Sequence, residues 1–154
     1  MERIRIEAVQ GPRASYLDDL LVGDADVQQI GHYLNQGELD VVYVGNEKVG
    51  VAQLIPIDDK TIELKNIGIH AKWQRRGIGG QVVRYLMHQS AAHYQTMLVG
   101  TANSSIGNII FYQRLGFRMY AVKRGFFDQY SEPIYENDIQ AHDMLLFTQN
   151  LAGR

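Results

Sequence analysis

The sequence predicts a single α/β (α+β) domain with a mixed, partly parallel sheet and helices on both faces. Three observations support this. Runs of alternating or β-branched residues are interleaved with runs whose apolar residues recur at helical spacing. In the second half the order is strand, helix, strand, helix, strand, and such units bring successive strands back parallel. The 154 residues contain no repeat, low-complexity tract or linker, so one domain spanning residues 1–154 is expected.

"RIRIEAV" (Arg3 to Val9) alternates and reads as a first strand. "ASYLDDLLV" and "DVQQIGHYL" carry apolar residues at helical spacing, with a break at Gly23-Asp24. "LDVVYVGNEKVGVAQLIPI" is a hairpin in which two β-branched runs flank Gly45-Asn46. In the fourth strand, "TIELKNIGIH", the apolar parity slips by one between Leu64 and Ile67. In a period-2 element that slip means either burial on both faces or a bulge. A helix over Gly77 to Ala92 follows, with Ile78, Val82, Val83, Leu86 and Met87 as its buried stripe. "TMLVGT" has the near-continuous apolar character of a central strand. "SSIGNIIFYQRLGF" is a helix with serine at its start and Gly116 at its end. "FRMYAVKR" is a strand, Gly125 to Asp143 a long acidic and aromatic loop, and "QAHDMLLFTQNL" a last strand.

Composition excludes several classes. A formal charge of −2 lacks the basic surplus of a nucleic-acid binder. No apolar run approaches the roughly 20 residues needed to cross a bilayer. The charged, alternating N-terminus is unlike a signal peptide, so a cytoplasmic protein is expected. The absence of cysteine removes thiol nucleophiles, disulfides and thiolate zinc sites. His88 and His93 are five apart, off a common helical face, and no H-E-x-x-H occurs, so no metal is expected. His32, His70 and His142 read as surface or structural residues.

The stretch "HAKWQRRGIGGQVVRYLMH" poses the functional question. It lacks the Gly-Lys-Ser/Thr of a P-loop, and Val82 fills the third glycine position of a dinucleotide fingerprint. A helix N-terminus nevertheless presents free N–H groups and a partial positive charge, and glycines let an anion approach closely. Arg75 and Arg76 add charge, and the Gln74 side chain can donate. The segment therefore suits a pyrophosphate, the alternative being a solvated basic turn that caps the helix.

The block Gln74-Arg75-Arg76-Gly77-Ile78-Gly79 resembles the acetyl-CoA-binding Q/R-x-x-G-x-G/A motif of the GNAT family of N-acetyltransferases. It follows a strand ending Ile67-Gly68-Ile69, and "NIIFYQRLGF" (Asn108 to Phe117) resembles that family's next helix and strand start. The element order matches over nearly the whole chain. One departure is Ala71, where the family often has proline. The resemblance implies a GNAT-like fold in which a bulged fourth strand splays from the fifth and the pantetheine arm lies in the gap. It implies backbone contacts to acetyl-CoA from Ile67 and Ile69. It places the pyrophosphate on amides of Gln74, Arg75, Arg76, Gly77, Ile78 and Gly79, and sets Asn108 and Tyr112 on the pantetheine side.

Acyl transfer to an amine needs a base for the amine, donors for the oxyanion and an acid for the departing thiolate. A backbone N–H near Ile69 can serve the oxyanion. Similar family members carry a glutamate acting through water at the place of Glu63; the alternative is a solvent-facing residue paired with Lys65. Tyr112, four residues after Asn108 on the same helix face, matches the family's general acid; the alternative is a packed aromatic beside Phe111. The acidic and aromatic loop, with Asp18, Asp19, Asp24 and Asp26 in the first helical region, suits a cationic primary amine on a small molecule or a protein. A solvated loop is the competing reading. The second functional class is a module of the same fold that senses acyl-CoA with weak or no turnover. The apolar run Met144 to Phe147 offers pairing with a second copy, a homodimer.

Overall fold

The computed structural model describes residues 2–152. Its strands are β1 (Ile4–Ala8), β2 (Glu38–Val44), β3 (Glu47–Pro56), β4 (Thr61–Ile69), β5 (Thr96–Ala102), β6 (Arg118–Lys123), β7 (Tyr135–Glu136), β8 (Ile139–Gln140) and β9 (Met144–Asn150). The helices are α1 (Leu17–Gly23), α2 (Val27–Tyr33), α3 (Ile78–Ser90) and α4 (Ile106–Arg114). Seven strands form one sheet in the order β1-β2-β3-β4-β5-β9-β6. Only β4 and β5 pair in parallel, through the crossover made by α3. The sheet is thus mixed, and its seven strands and the four helices follow the expected order.

Each face of the sheet has its own core. On one, Ile78, Val82, Val83, Leu86 and Met87 of α3 pack with Leu64, Met97, Val99, Tyr112 and Phe147. Burying those five helix side chains yields on the order of 10 kcal/mol before entropy is subtracted, at about 1.5–3 kcal/mol each. On the other face Leu20 and Ile30 pack with Leu39, Val51 and Ile55. Asp26 starts α2 by accepting the N–H groups of Gln28 and Gln29, which explains the break after Gly23.

Two expectations are corrected. Gly125 to Asp143 is not one open loop: Phe126–Gln129 form a 3-10 turn, and β7 and β8 make a ribbon closed by Asn137 and Asp138, both left-handed. Asparagine and aspartate tolerate that conformation, so Asn-Asp was a readable turn signal. The final strand is no free edge either. β9 is flanked by β5 and β6 along its length, so its hydrogen-bonding sides are occupied. The sheet's edges are β1 and β6.

Candidate active site

The parity slip in the fourth strand is a bulge. Gln53 faces Asn66 and Leu54 faces Leu64, which leaves Lys65 without a partner on β3. The slip keeps Ile62 and Leu64 in the α3-side core and returns Ile67 and Ile69 to that same side, while Asn66 turns to α1 and α2. Asn66 donates to Leu20 O at 2.9 Å and to Tyr33 Oη at 3.1 Å.

Beyond the bulge the two central strands part. β4 pairs with β5 only from Thr61–Thr96 to Leu64–Val99. β4 then stays with β3 as far as Gly50–Ile69, and β5 stays with β9 as far as Ala102–Met144. The His70 N–H donates to Val49 O at 2.8 Å. By antiparallel alternation, Gly50–Ile69 and Ala52–Ile67 are then non-hydrogen-bonded pairs. The N–H and C=O groups of Ile67 and Ile69 therefore point away from β3, into the gap. α1 lies directly on this part of β4: a methyl group on Gly68 would stand 2.7 Å from Asp19 O and 3.1 Å from Val22 Cβ.

At the end of β4 the backbone makes two left-handed steps, at Arg75 (φ 61°) and Gly77 (φ 79°). Gly77 is the N-cap of α3, so the free amides of the first turn begin just after it. Alternating helical and left-handed residues gather N–H groups into an anion-sized concavity. The Arg76 guanidinium lies 4.6 Å from the Trp73 ring centre and 3.5 Å from Glu2. Trp73 is fixed by its indole N–H donating to Glu47 at 2.8 Å, a bond that also holds the Glu47 carboxyl below its ordinary pKa. Gln74 departs from expectation, because its side-chain amide donates to Ile69 O at 2.8 Å and ties the loop to the strand. Ile78 is buried and faces the core, so only its backbone can serve a ligand. Gly79 approaches α4 closely, 3.4 Å separating Phe111 Cζ from where its Cβ would be.

The far wall of the gap is α4. Asn108 donates to Thr101 Oγ1 at 3.2 Å, near the end of β5. Tyr112 is 6% exposed, edge-on to Phe111 and Phe117 at 5.2 and 5.6 Å between ring centres. Burial pushes its hydroxyl up to about 12, so it remains protonated at any physiological pH.

Glu63 and Lys65 lie on the opposite side of the sheet from α3. They line a cleft of about 410 Å³ with Asp24, Tyr33, Phe126 and Tyr130, a size that suits a small molecule. Among the described residues neither makes an ion pair, so the expected alternative of a Glu63–Lys65 pair is not formed. The Lys65 ammonium instead rests 5.2 Å from the Tyr33 ring centre and 5.9 Å from that of Phe126.

The acidic wall expected from the first helical region is largely spent on the fold. Asp19 is buried and binds Lys48 at 2.8 Å and His70 at 2.7 Å. Asp24 accepts the hydroxyls of Tyr33 at 2.8 Å and Tyr130 at 3.1 Å. Burial, then the charge of Asp24, raises both phenols above their ordinary pKa. Asp26 accepts the Ser131 N–H, the main cause of its lowered pKa. These bonds fold the aromatic segment back over the cleft. Sequence reading placed Phe126 and Tyr130 in the aromatic segment on the acceptor side but missed Tyr33 and Lys65 as lining of the same cleft. Tyr33 had been absorbed into a helical stripe, and Lys65 had been considered only as a partner for Glu63. Among the described residues no group of three metal-ligating side chains occurs, and no helix is long and apolar enough to cross a membrane.

Comparison with known proteins agrees with this geometry. Residues 29–119 match the family described as the acetyltransferase (GNAT) domain. The chain is 34% identical over 147 residues to an uncharacterized N-acetyltransferase, YvbK, of Bacillus subtilis, covering 94% of this chain and 95% of that protein. It resembles a GNAT family acetyltransferase from Elizabethkingia anophelis, solved with acetyl-CoA bound, at 38% identity and a TM-score of 0.89, covering 96% and 97% of the two chains. A Bacillus subtilis acetyltransferase in complex with CoA is similar at 33% identity and a TM-score of 0.87, with 96% and 99% covered. With motif, splayed strands and whole-chain similarity in agreement, the chain belongs to the GNAT family of acetyltransferases.

Proposed function

We propose that the protein transfers an acetyl group from acetyl-CoA directly to a primary amine that arrives as a cationic ammonium, on a small molecule or a protein. The observation that carries this reading is the gap between β4 and β5, with the backbone groups of Ile67 and Ile69 turned into it and the left-handed turn at Arg75 and Gly77 closing its end. The pantetheine arm would pair with those two residues, as a short extra strand does. The pyrophosphate would sit on the amides of Gln74 to Gly79, with Arg75 and Arg76 adding charge. Relatives of 33% and 38% identity carry CoA and acetyl-CoA, which supports the same ligand here.

Glu63 would take a proton from the ammonium, directly or through water. The freed nitrogen attacks the thioester carbonyl, and the oxyanion is held by a backbone N–H near Ile69. The carbon–sulfur bond breaks, the electron pair goes to sulfur, and Tyr112 supplies the proton that makes the thiol. The second nitrogen proton leaves as the amide forms and restores Tyr112 through solvent, so one proton is released overall. A replacement of Glu63 tests the base. In Glu63→Gln, kcat/KM should lose its rise toward alkaline pH; an unchanged profile would remove Glu63 from this role.

A further inference from the structure

Two opposite charges line one cleft and do not meet. Glu63 and Lys65 are two residues apart on one strand and line the same cleft. Lysine is long enough to fold over onto such a neighbour, yet its ammonium lies against the rings of Tyr33 and Phe126. Among the described residues it makes no ion pair and no side-chain hydrogen bond. Aromatic faces hold the ammonium in place without neutralising it. The other carboxylate in the cleft, Asp24, accepts two tyrosine hydroxyls and forms no ion pair with Lys65 among the described residues. A carboxylate on the acceptor would find the Lys65 ammonium unpaired, and a second positive charge placed beside it would be repelled.

We propose that the acceptor is an amino-carboxylate with an apolar body. Its ammonium is received by Glu63 and its carboxylate by Lys65, and the rings of Tyr33, Phe126 and Tyr130 cover what lies between. The proposal rests on the amine-acetyltransferase reading above and adds the substrate class. Lys65 is then a specificity residue. It plays no part in bond making, and it selects acceptors by the carboxylate it pairs with.

The test is acetyl-CoA-dependent thiol release with matched acceptors. These are phenylalanine, phenylalaninamide and 2-phenylethylamine, 5-aminopentanoate and pentylamine, and spermidine. The wild type should prefer each acid over its partner lacking the carboxylate by at least tenfold in kcat/KM and should use spermidine worst. In Lys65→Met, which keeps the length of the stem, the ratio of acid to carboxylate-free amine should fall to near one. In Lys65→Glu the order should invert toward spermidine. Equal use of acids and amines by the wild type, or an unchanged ratio in Lys65→Met, overturns the substrate class and leaves the amine-acetyltransferase reading standing. Failure of every amine in protein that still binds acetyl-CoA overturns both.

Discussion

Removing the Tyr112 hydroxyl tests the proposal that it serves the leaving thiolate. Its ring is boxed by Phe111, Phe117 and Phe147, and phenylalanine keeps every one of those contacts. Tyr112→Phe should therefore fold as the wild type does, within about 0.5 kcal/mol. Burial has raised the phenol to about 12, whereas an ordinary thiol ionises near 8.5. Complete proton transfer between groups so mismatched is uphill by about 3.5 pK units, or roughly 5 kcal/mol at 1.36 kcal/mol per unit. In the proposed role Tyr112 would then act chiefly by donating a charge-assisted hydrogen bond to sulfur in the transition state, worth about 1.5–3 kcal/mol. At 1.36 kcal/mol per decade this is about a 10- to 150-fold loss of kcat. KM for acetyl-CoA should move little. Because the hydroxyl stays protonated up to about pH 12, the variant should keep the shape of the wild-type pH profile between pH 6 and 10. Thiol release can be followed directly with a thiol reagent, since the chain contains no cysteine to react with it. An unchanged kcat with an altered KM would make Tyr112 a packing residue and would refute the reasoning.

Two further perturbations probe the scaffold that holds the site. Asp40 is 3% exposed on β2, and burial, with the charge of Glu38 second, raises its carboxyl to about 7. Its protonated form is the one the fold prefers, so its contribution is fully present below the unfolded value of 3.8 and is lost as pH rises toward 7. Asp40→Asn should match the wild type in melting temperature at pH 4 and exceed it increasingly up to pH 8, by roughly 2–4 °C per kcal/mol relieved; a difference that does not grow with pH would contradict this. Gly68→Ala should push α1 off β4, since its methyl would lie 2.7 Å from Asp19 O, and cost about 1–3 kcal/mol in urea unfolding. Unchanged stability would mean that the close approach is not a constraint.

Much of this was readable in the residues. The alternation of "RIRIEAV", the Gly45-Asn46 turn and the stripe from Ile78 to Met87 act through short-range periodicity, which sequence records directly. The break in parity between Leu64 and Ile67 left a choice between burial on two faces and a bulge, and register against β3 resolves it at Lys65. The loop from Gln74 to Gly79 was legible because glycine marks the left-handed step at Gly77; the matching step at Arg75 carries no such mark. The cleft lined by Glu63 and Lys65 was least legible. Asp19, Asp24 and Asp26 look like a free anionic cluster in one dimension, and their partners Lys48, His70, Tyr130 and Ser131 come from distant segments. The position of β9 between β5 and β6 is likewise a fact of topology, and an apolar run alone cannot distinguish an interior strand from an edge.

The central claim is that the gap beside Ile67 and Ile69, with the turn at Gly77, binds the coenzyme. Thermal unfolding with acetyl-CoA, CoA, ATP and NAD tests it most directly. A ligand at about 100 times its Kd stabilises the folded protein by about 2.7 kcal/mol, equivalent to roughly 5–11 °C for a chain of this size. A shift of that order with acetyl-CoA and CoA, and none with ATP or NAD, is the predicted result. No shift with either CoA species, or an equal shift with ATP, would reduce the Gln74–Gly79 segment to a generic anion-binding turn and contradict the account.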